Sequence, residues 1–188
     1  MRIISGQYKG KNITAPSGLP VRPTTDFAKT GLFNILQHRI DFPYCSVLDL
    51  CSGTGNISYE FASRGAASIT CVEQNGKCCQ FIRSTMQMLN YKPVQLLCME
   101  VTRALRTLTT SFDIIFADPP FDSDLIVTLP ELILTSGKLN TGGTFILEHR
   151  SNHPFTGKVK PNETRVYGNC AFSFFEQNNF IFALDGNN

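Results

Sequence analysis

At 188 residues, 42% of them hydrophobic, the chain is long enough to bury a core without help from a second copy, and one monomeric unit is the expectation. Its seven cysteines show no paired CxxC spacing, which argues against a disulfide framework or a zinc site and for reduced, buried thiols in a cytoplasmic protein. The opening "MRIISGQYKGK" has neither a long apolar stretch nor a cleavage site, and no apolar run reaches membrane-spanning length, so neither secretion nor a membrane partner is expected.

The net charge of +2 is unevenly placed. Residues 1–40 hold six basic side chains, Arg2, Lys9, Lys11, Arg22, Lys29 and Arg39, against Asp26 alone, whereas the rest holds eleven basic and fourteen acidic ones. Lys and Arg at phosphates supply most of the non-specific affinity for nucleic acid, so this segment has the character of an arm that grips a polyanion. Composition alone leaves a solvated surface equally open. A composition shift near residue 43 divides the chain into a basic extension, residues 1–42, and a body, residues 43–188.

In the extension, "RIISGQYKG" and "KNITAP" read as two short strands around Gly10, followed by the proline-rich "SGLPVRPTTD". Thr25 or Asp26 can cap a helix through "FAKTGLFNILQHRI", with Phe27, Leu32, Ile35 and Leu36 as its apolar stripe. From residue 46 strands and helices alternate: "SVLDL", a helix "NISYEFASRG" ended by Gly65, "SITCVE", and a helix "GKCCQFIRSTMQML" with Phe81, Ile82, Thr85, Met86 and Leu89 inward. Then come "VQLLCM", the short helix "VTRALRTL", "DIIFAD", a helix "DLIVTLPELILTS" kinked at Pro130, a turn at Asn140–Gly143 and the strand "GTFILEH". The tail "TRVYGNCAFSFFEQ" makes a final antiparallel pair around "YGNC". Apolar strands alternating with helices imply an α/β, doubly wound, mostly parallel sheet covered on both faces. In such a sheet the ligand lies beyond the carboxyl ends of the strands.

Those ends carry the chemistry. The first strand ends "LDLCSGTGN", where Gly53 and Gly55 let backbone approach a ligand. The dinucleotide fingerprint wants a third small residue where Ser58 stands, and Asp49 would repel a pyrophosphate; a cationic, phosphate-free nucleoside suits the loop better. Glu73 ends the second strand twenty residues after Gly53, the separation of an acid that accepts ribose hydroxyls, a reading favoured over a solvated helix-opening acid. Glu100, after the third strand, either accepts from an adenine amine or opens the next helix, and the sequence does not choose. The fourth strand ends "DPPF": two prolines remove two backbone donors and stiffen the chain, so the Asp118 carboxylate and the Pro119 carbonyl can accept both hydrogens of an exocyclic amine while Phe121 offers a flat face to a base. His38, His149 and His153 have no metal-binding spacing, and no metal is expected.

"DLCSGTG", "VE" at 72–73 and "DPPF" together resemble the class I S-adenosylmethionine-dependent methyltransferases that modify amino groups. "MRIISGQYKGK", "VRPTTD", "LFNIL" and "SRGA" narrow the resemblance, over roughly residues 1–150, to the RsmD family, bacterial enzymes that methylate the N2 of a guanine in small-subunit (16S) ribosomal RNA. It implies S-adenosylmethionine held by Asp49, Gly53, Gly55, Glu73 and Glu100, a target amine held by Asp118 and Pro119, and stacking on Phe121. The partner it implies is 16S ribosomal RNA or an assembling small subunit, gripped through Arg2, Lys9, Lys11 and Arg22. Phe27 and Thr30 stand where the family more often has Arg and Glu. The same acceptors would serve N6 of adenine or a glutamine amide. A non-catalytic RNA-binding assembly module and a nicotinamide-dependent oxidoreductase are the other readings, the latter opposed by Ser58 and Asp49.

Overall fold

The structure, a computed structural model, describes residues 1–19, 24–152 and 158–177. Four βα units and a fifth strand follow one another from β1 (Ser46–Leu50) through α2 (Asn56–Ser63), β2 (Ser68–Glu73), α3 (Gly76–Met88), β3 (Val94–Cys98), α4 (Val101–Thr107) and β4 (Phe112–Ala117) to α5 (Leu125–Thr135) and β5 (Leu139–Arg150). They are preceded by α1 (Asp26–Leu36) and followed by β6 (Glu163–Tyr167) and β7 (Cys170–Glu176). The seven-stranded sheet has the order β3-β2-β1-β4-β5-β7-β6. β1 to β5 run parallel and β7 enters antiparallel between β5 and β6. Among the described residues no helix is long and apolar enough to cross a membrane.

Alternation along the strands sorts the core into two clusters, one on each face of the sheet. Val47, Ile69, Ile114, Phe116, Ile146 and Phe172 pack under α1, α2 and α3. Leu48, Val72, Ile115, Phe145 and Leu147 pack under α4 and α5. Ile3 and Ile13 belong to the first cluster, so the N-terminal segment shares the core of the body.

Local structure departs from the sequence-based expectation in four places. The N-terminal strands shrink to a single antiparallel bridge, Arg2 with Asn12, because the backbone donors of Ile4 and Ser5 turn away to the buried Glu60 carboxylate, at 2.8 and 3.0 Å. In α1 the buried stripe is Ala28, Lys29, Leu32, Phe33 and Leu36, while Phe27 is 69% exposed. The turn at Asn140–Gly143 is absorbed into β5 as an irregularity, the pairing with β4 jumping from Phe112–Leu139 to Ile114–Thr144. Finally, Cys79 and Cys98 are joined as a disulfide with Cα atoms 6.1 Å apart. The expectation of seven reduced thiols is corrected there: the end of edge strand β3 lies beside the first turn of α3, a proximity no CxxC spacing announces. The other five cysteines lie outside any disulfide, and burial pushes the Cys45 and Cys71 thiols up to about 12, which keeps them protonated.

Lys29 is the unusual member of the α1 stripe, being 1% exposed. Its Nζ donates to Arg2 O at 2.6 Å and to Asn56 Oδ1 at 2.7 Å, and stands 3.8 Å from Glu60 Oε2. It is therefore no part of a surface cation patch. Two residues on, Gly31 lets α1 lie against β6, since a Cβ there would fall 2.0 Å from Tyr167 Cε1. Gly31→Ala should destabilise the fold by about 1–3 kcal/mol in denaturant unfolding even though alanine is the better helix former. The same change in a Tyr167→Ala background should be neutral or stabilising.

Candidate active site

The register of the sheet gathers acids on one face at one edge. Asp49 pairs with Cys71 and with Phe116, and Phe116 pairs with Ile146. Counting two residues on from each partner places Glu73, Asp118 and Glu148 on the face of Asp49, the one α1 and α2 cover. All four line one cavity of about 1210 Å³, together with Gly53, Glu100, Pro119 and Phe121.

The glycine loop is built for close approach. Gly53 and Gly55 have φ of +54° and +80°, and a Cβ on Gly55 would fall 2.7 Å from Tyr59 Cζ, so a side chain is barred there twice over. Gly55 ends the loop as the N-cap of α2 and lies behind the residues that face the cavity. Glu73 fastens the loop: Oε2 accepts from Gly53 N and Oε1 from Asn75 N, both at 2.8 Å. A carboxylate has about four lone-pair sites, so capacity to accept hydroxyls remains. Ser58, where a dinucleotide loop would want a small residue, donates its hydroxyl to Asp49 Oδ2 at 2.5 Å. Burial raises the Asp49 carboxyl to about 7, with the Ser58 bond pulling the other way and the Glu73 charge adding to the rise. Two acids and an open glycine loop fit a nucleoside that offers hydroxyl donors and carries positive charge.

Glu100 resolves toward its local role. It is the N-cap of α4, its Oε1 accepting from Thr102 N at 3.0 Å and its Oε2 from Arg103 N at 3.2 Å and Thr102 Oγ1 at 2.6 Å, which lowers its carboxyl. It stands at the cavity rim with its acceptors largely spent.

At the end of β4, Asp118 keeps a 3.4 Å bond from its own N–H to Leu50 O, after which Pro119 and Pro120 carry no donor. Its carboxyl is raised well above the usual range, by burial first and then by the charges of Glu148 and Asp49. Phe121 is half-buried with the Arg150 guanidinium 5.3 Å from its ring centroid. The lining also holds Phe27 and Tyr167, ring centroids 5.8 Å apart and edge to face, with the Gly168–Asn169 turn of the β6–β7 hairpin.

The sequence reading missed Glu148, Thr24, Arg150 and the Phe27–Tyr167 pair. Glu148 was within reach, since it is an acid ending the fifth strand just as Glu73 and Asp118 end the second and fourth. Thr24 Oγ1 donates to its Oε2 at 2.8 Å, and burial raises its carboxyl despite that bond and one from the Cys170 thiol. Arg2, Lys9 and Lys11 lie outside the cavity lining, Arg2 within 3.6 Å of Asp26 and Lys11 over the Tyr8 ring. Arg22 and His153 fall outside the described residues, and His149 is buried against Ser173.

A five-stranded parallel core extended by an antiparallel pair, with acids at the strand ends around one cavity, defines a class I methyltransferase fold. A protein of Thermus thermophilus superimposes with a TM-score of 0.81 at 25% identity, over 94% of this chain and 99% of its own. An Escherichia coli protein described as a methyltransferase does so with 0.79 at 26%, over 93% and 96%. The chain belongs to the family described as conserved hypothetical protein 95, the RsmD family, whose model matches residues 1–176. Among its relatives is the ribosomal RNA small subunit methyltransferase D of Buchnera aphidicola, 32% identical over 152 residues, 80% of this chain and 76% of that one. The protein of that name in Escherichia coli K12 is 31% identical, over 74% of this chain and 69% of its own.

Folding raises the Asp49 carboxyl above its unfolded value, so its contribution to stability is present at low pH and is lost as pH rises through about 7. Asp49→Asn should therefore raise the thermal midpoint at pH 8 more than at pH 5, as differential scanning calorimetry at both values will show.

Proposed function

We propose that this chain transfers a methyl group from S-adenosylmethionine to the exocyclic N2 amine of a guanine in small-subunit (16S) ribosomal RNA. The observation that carries the reading is the bend at Asp118–Pro120, whose two prolines have no backbone donor, opening into the same cavity as the Asp49 and Glu73 carboxylates. The names of the relatives support ribosomal RNA as the substrate, and the RsmD resemblance supports guanine N2.

Bound in this cavity, S-adenosylmethionine supplies an electrophilic methyl group on a sulfonium. Glu73 accepts its ribose hydroxyls, Gly53 gives its backbone room, and Asp49 supplies negative charge on the sulfonium side. Asp118 and the Pro119 carbonyl accept the two amine hydrogens and Phe121 stacks on the base. A guanine N2 lone pair is delocalised into the ring; two acceptors on its hydrogens favour a pyramidal nitrogen whose lone pair points at the methyl carbon. The nitrogen bonds to that carbon as the carbon–sulfur bond breaks, sulfur keeping the electron pair, and the amine proton passes to Asp118 or to water. Alignment and electrostatics supply the rate, and no nucleophilic side chain takes part.

The target base must leave its stack to reach the cavity, and Arg2, Lys9 and Lys11 of the extension, residues 1–42, grip backbone phosphates around it. Residues 43–188 form the catalytic body. The reading puts the protein in the cytoplasm, acting as a monomer on the small subunit or its free RNA.

Purified protein given tritiated S-adenosylmethionine and small-subunit particles, or their RNA, from a strain lacking the modification should release label as N2-methylguanosine. Asp118→Ala should lose it while cofactor affinity by calorimetry persists. Label in N6-methyladenosine would overturn the substrate, and absence of transfer would overturn the reading. Lys9→Ala with Lys11→Ala should weaken RNA binding and lower the slope of log affinity against log salt by about 2.

A further inference from the structure

We infer that Glu148 is a specificity-determining residue of this site, accepting the ring N1–H of the target guanine beside the amine that Asp118 holds. The inference rests on the proposed transfer to guanine N2.

The first support is placement. Ala117 and Leu147 are the last register pair of β4 and β5, so Asp118 and Glu148 leave neighbouring parallel strands side by side and on the same face. On the pairing edge of guanine the N1–H and the N2 amine are also side by side, and all of these hydrogens are donors. If Asp118 and Pro119 take the amine, the next acceptor along the sheet edge is the Glu148 carboxylate, and it lines the same cavity.

The second support is aim. Glu148 is 4% exposed and is held from behind by a run of buried hydrogen bonds. Lys29 Nζ donates to Asn56 Oδ1 at 2.7 Å, Asn56 Nδ2 donates to Thr24 O at 2.9 Å, and Thr24 Oγ1 donates to Glu148 Oε2 at 2.8 Å. Thr24 and the Cys170 thiol leave acceptor capacity on the carboxylate for a donor from the cavity.

The third support is cost. A second carboxylate beside Asp118 adds like-charge repulsion in a buried place, and a glutamine would satisfy Thr24 without it. An acid repays that cost only against a partner made of donors. Guanine brings an N1–H; adenine and 2-aminopurine present an N1 lone pair, which a carboxylate repels.

Small-subunit RNA carrying 2-aminopurine in place of the target guanosine keeps the N2 amine and lacks the N1–H. The wild type should methylate it with kcat/KM lower by about tenfold or more, the loss expected when a buried charged acceptor meets no donor. Glu148→Gln, whose amide can donate to N1, should lose about tenfold or more on guanine and gain on 2-aminopurine, so the preference collapses or inverts. Equal loss on both substrates would mark Glu148 as structural and overturn the inference, as would a wild type indifferent to the substitution. Should Glu148→Gln not fold, judged by its thermal midpoint, Thr24→Val frees the carboxylate from its anchor and should lower the same preference; an unchanged ratio there overturns the inference too. Wild-type protein that transfers no methyl to guanine would defeat the parent reading instead, and this one with it.

Discussion

The structure depends on a charge pair that water does not reach. Lys29 and Glu60 are 1% and 0% exposed at the side chain, and their desolvation is tolerable only because every neighbour is arranged to bond to them. Glu60 accepts from Ile4 N and Ser5 N and pairs with Arg64 at 3.0 Å, while Lys29 reaches Arg2 O and Asn56. Burial lowers the Lys29 ammonium and the Glu60 carboxylate opposes that shift. Losing one partner of such a pair typically costs about 3–5 kcal/mol, so the N-terminal segment, α1 and α2 are held as one unit. All eight residues of α2 are buried as a result.

That unit forms the roof over the face on which the acids gather. Parallel register sends matched residues to the same side, so a strand pattern with an acid at or just after each carboxyl end becomes a row of carboxylates along one edge. Burial raises Asp49, Asp118 and Glu148 together. A ligand bringing positive charge or hydrogen-bond donors relieves such a row, which narrows the chemistry the edge can welcome.

Legibility from sequence followed the range of the interaction. Apolar runs, capping residues and glycine spacing are local, and they delivered the alternation of strands and helices, a helix start at Thr25 or Asp26 of which Thr25 is the cap, the β6–β7 hairpin and acids at 49, 73 and 118 that line one cavity. Tertiary partners decided the rest. Phe27 looks apolar and inward until Lys29 takes the buried stripe, and a lysine is buried only because Glu60, thirty-one residues away, is buried with it. Cys79 and Cys98 meet through the geometry of an edge strand, and Glu100 chose its cap because α4 begins at once. Glu148 followed the same strand-end rule as the other acids, but its anchor Thr24 lies 124 residues away.

The antiparallel entry of β7 bears on synthesis. The loop around Gly53 and the acids at the ends of β1, β2 and β4 leave the ribosome before Tyr167, Gly168, Asn169 and Cys170, which line the same cavity. A nascent chain thus carries the acids and the glycine loop before it carries the β6–β7 hairpin, and the cavity is lined in full only once that hairpin has joined the sheet.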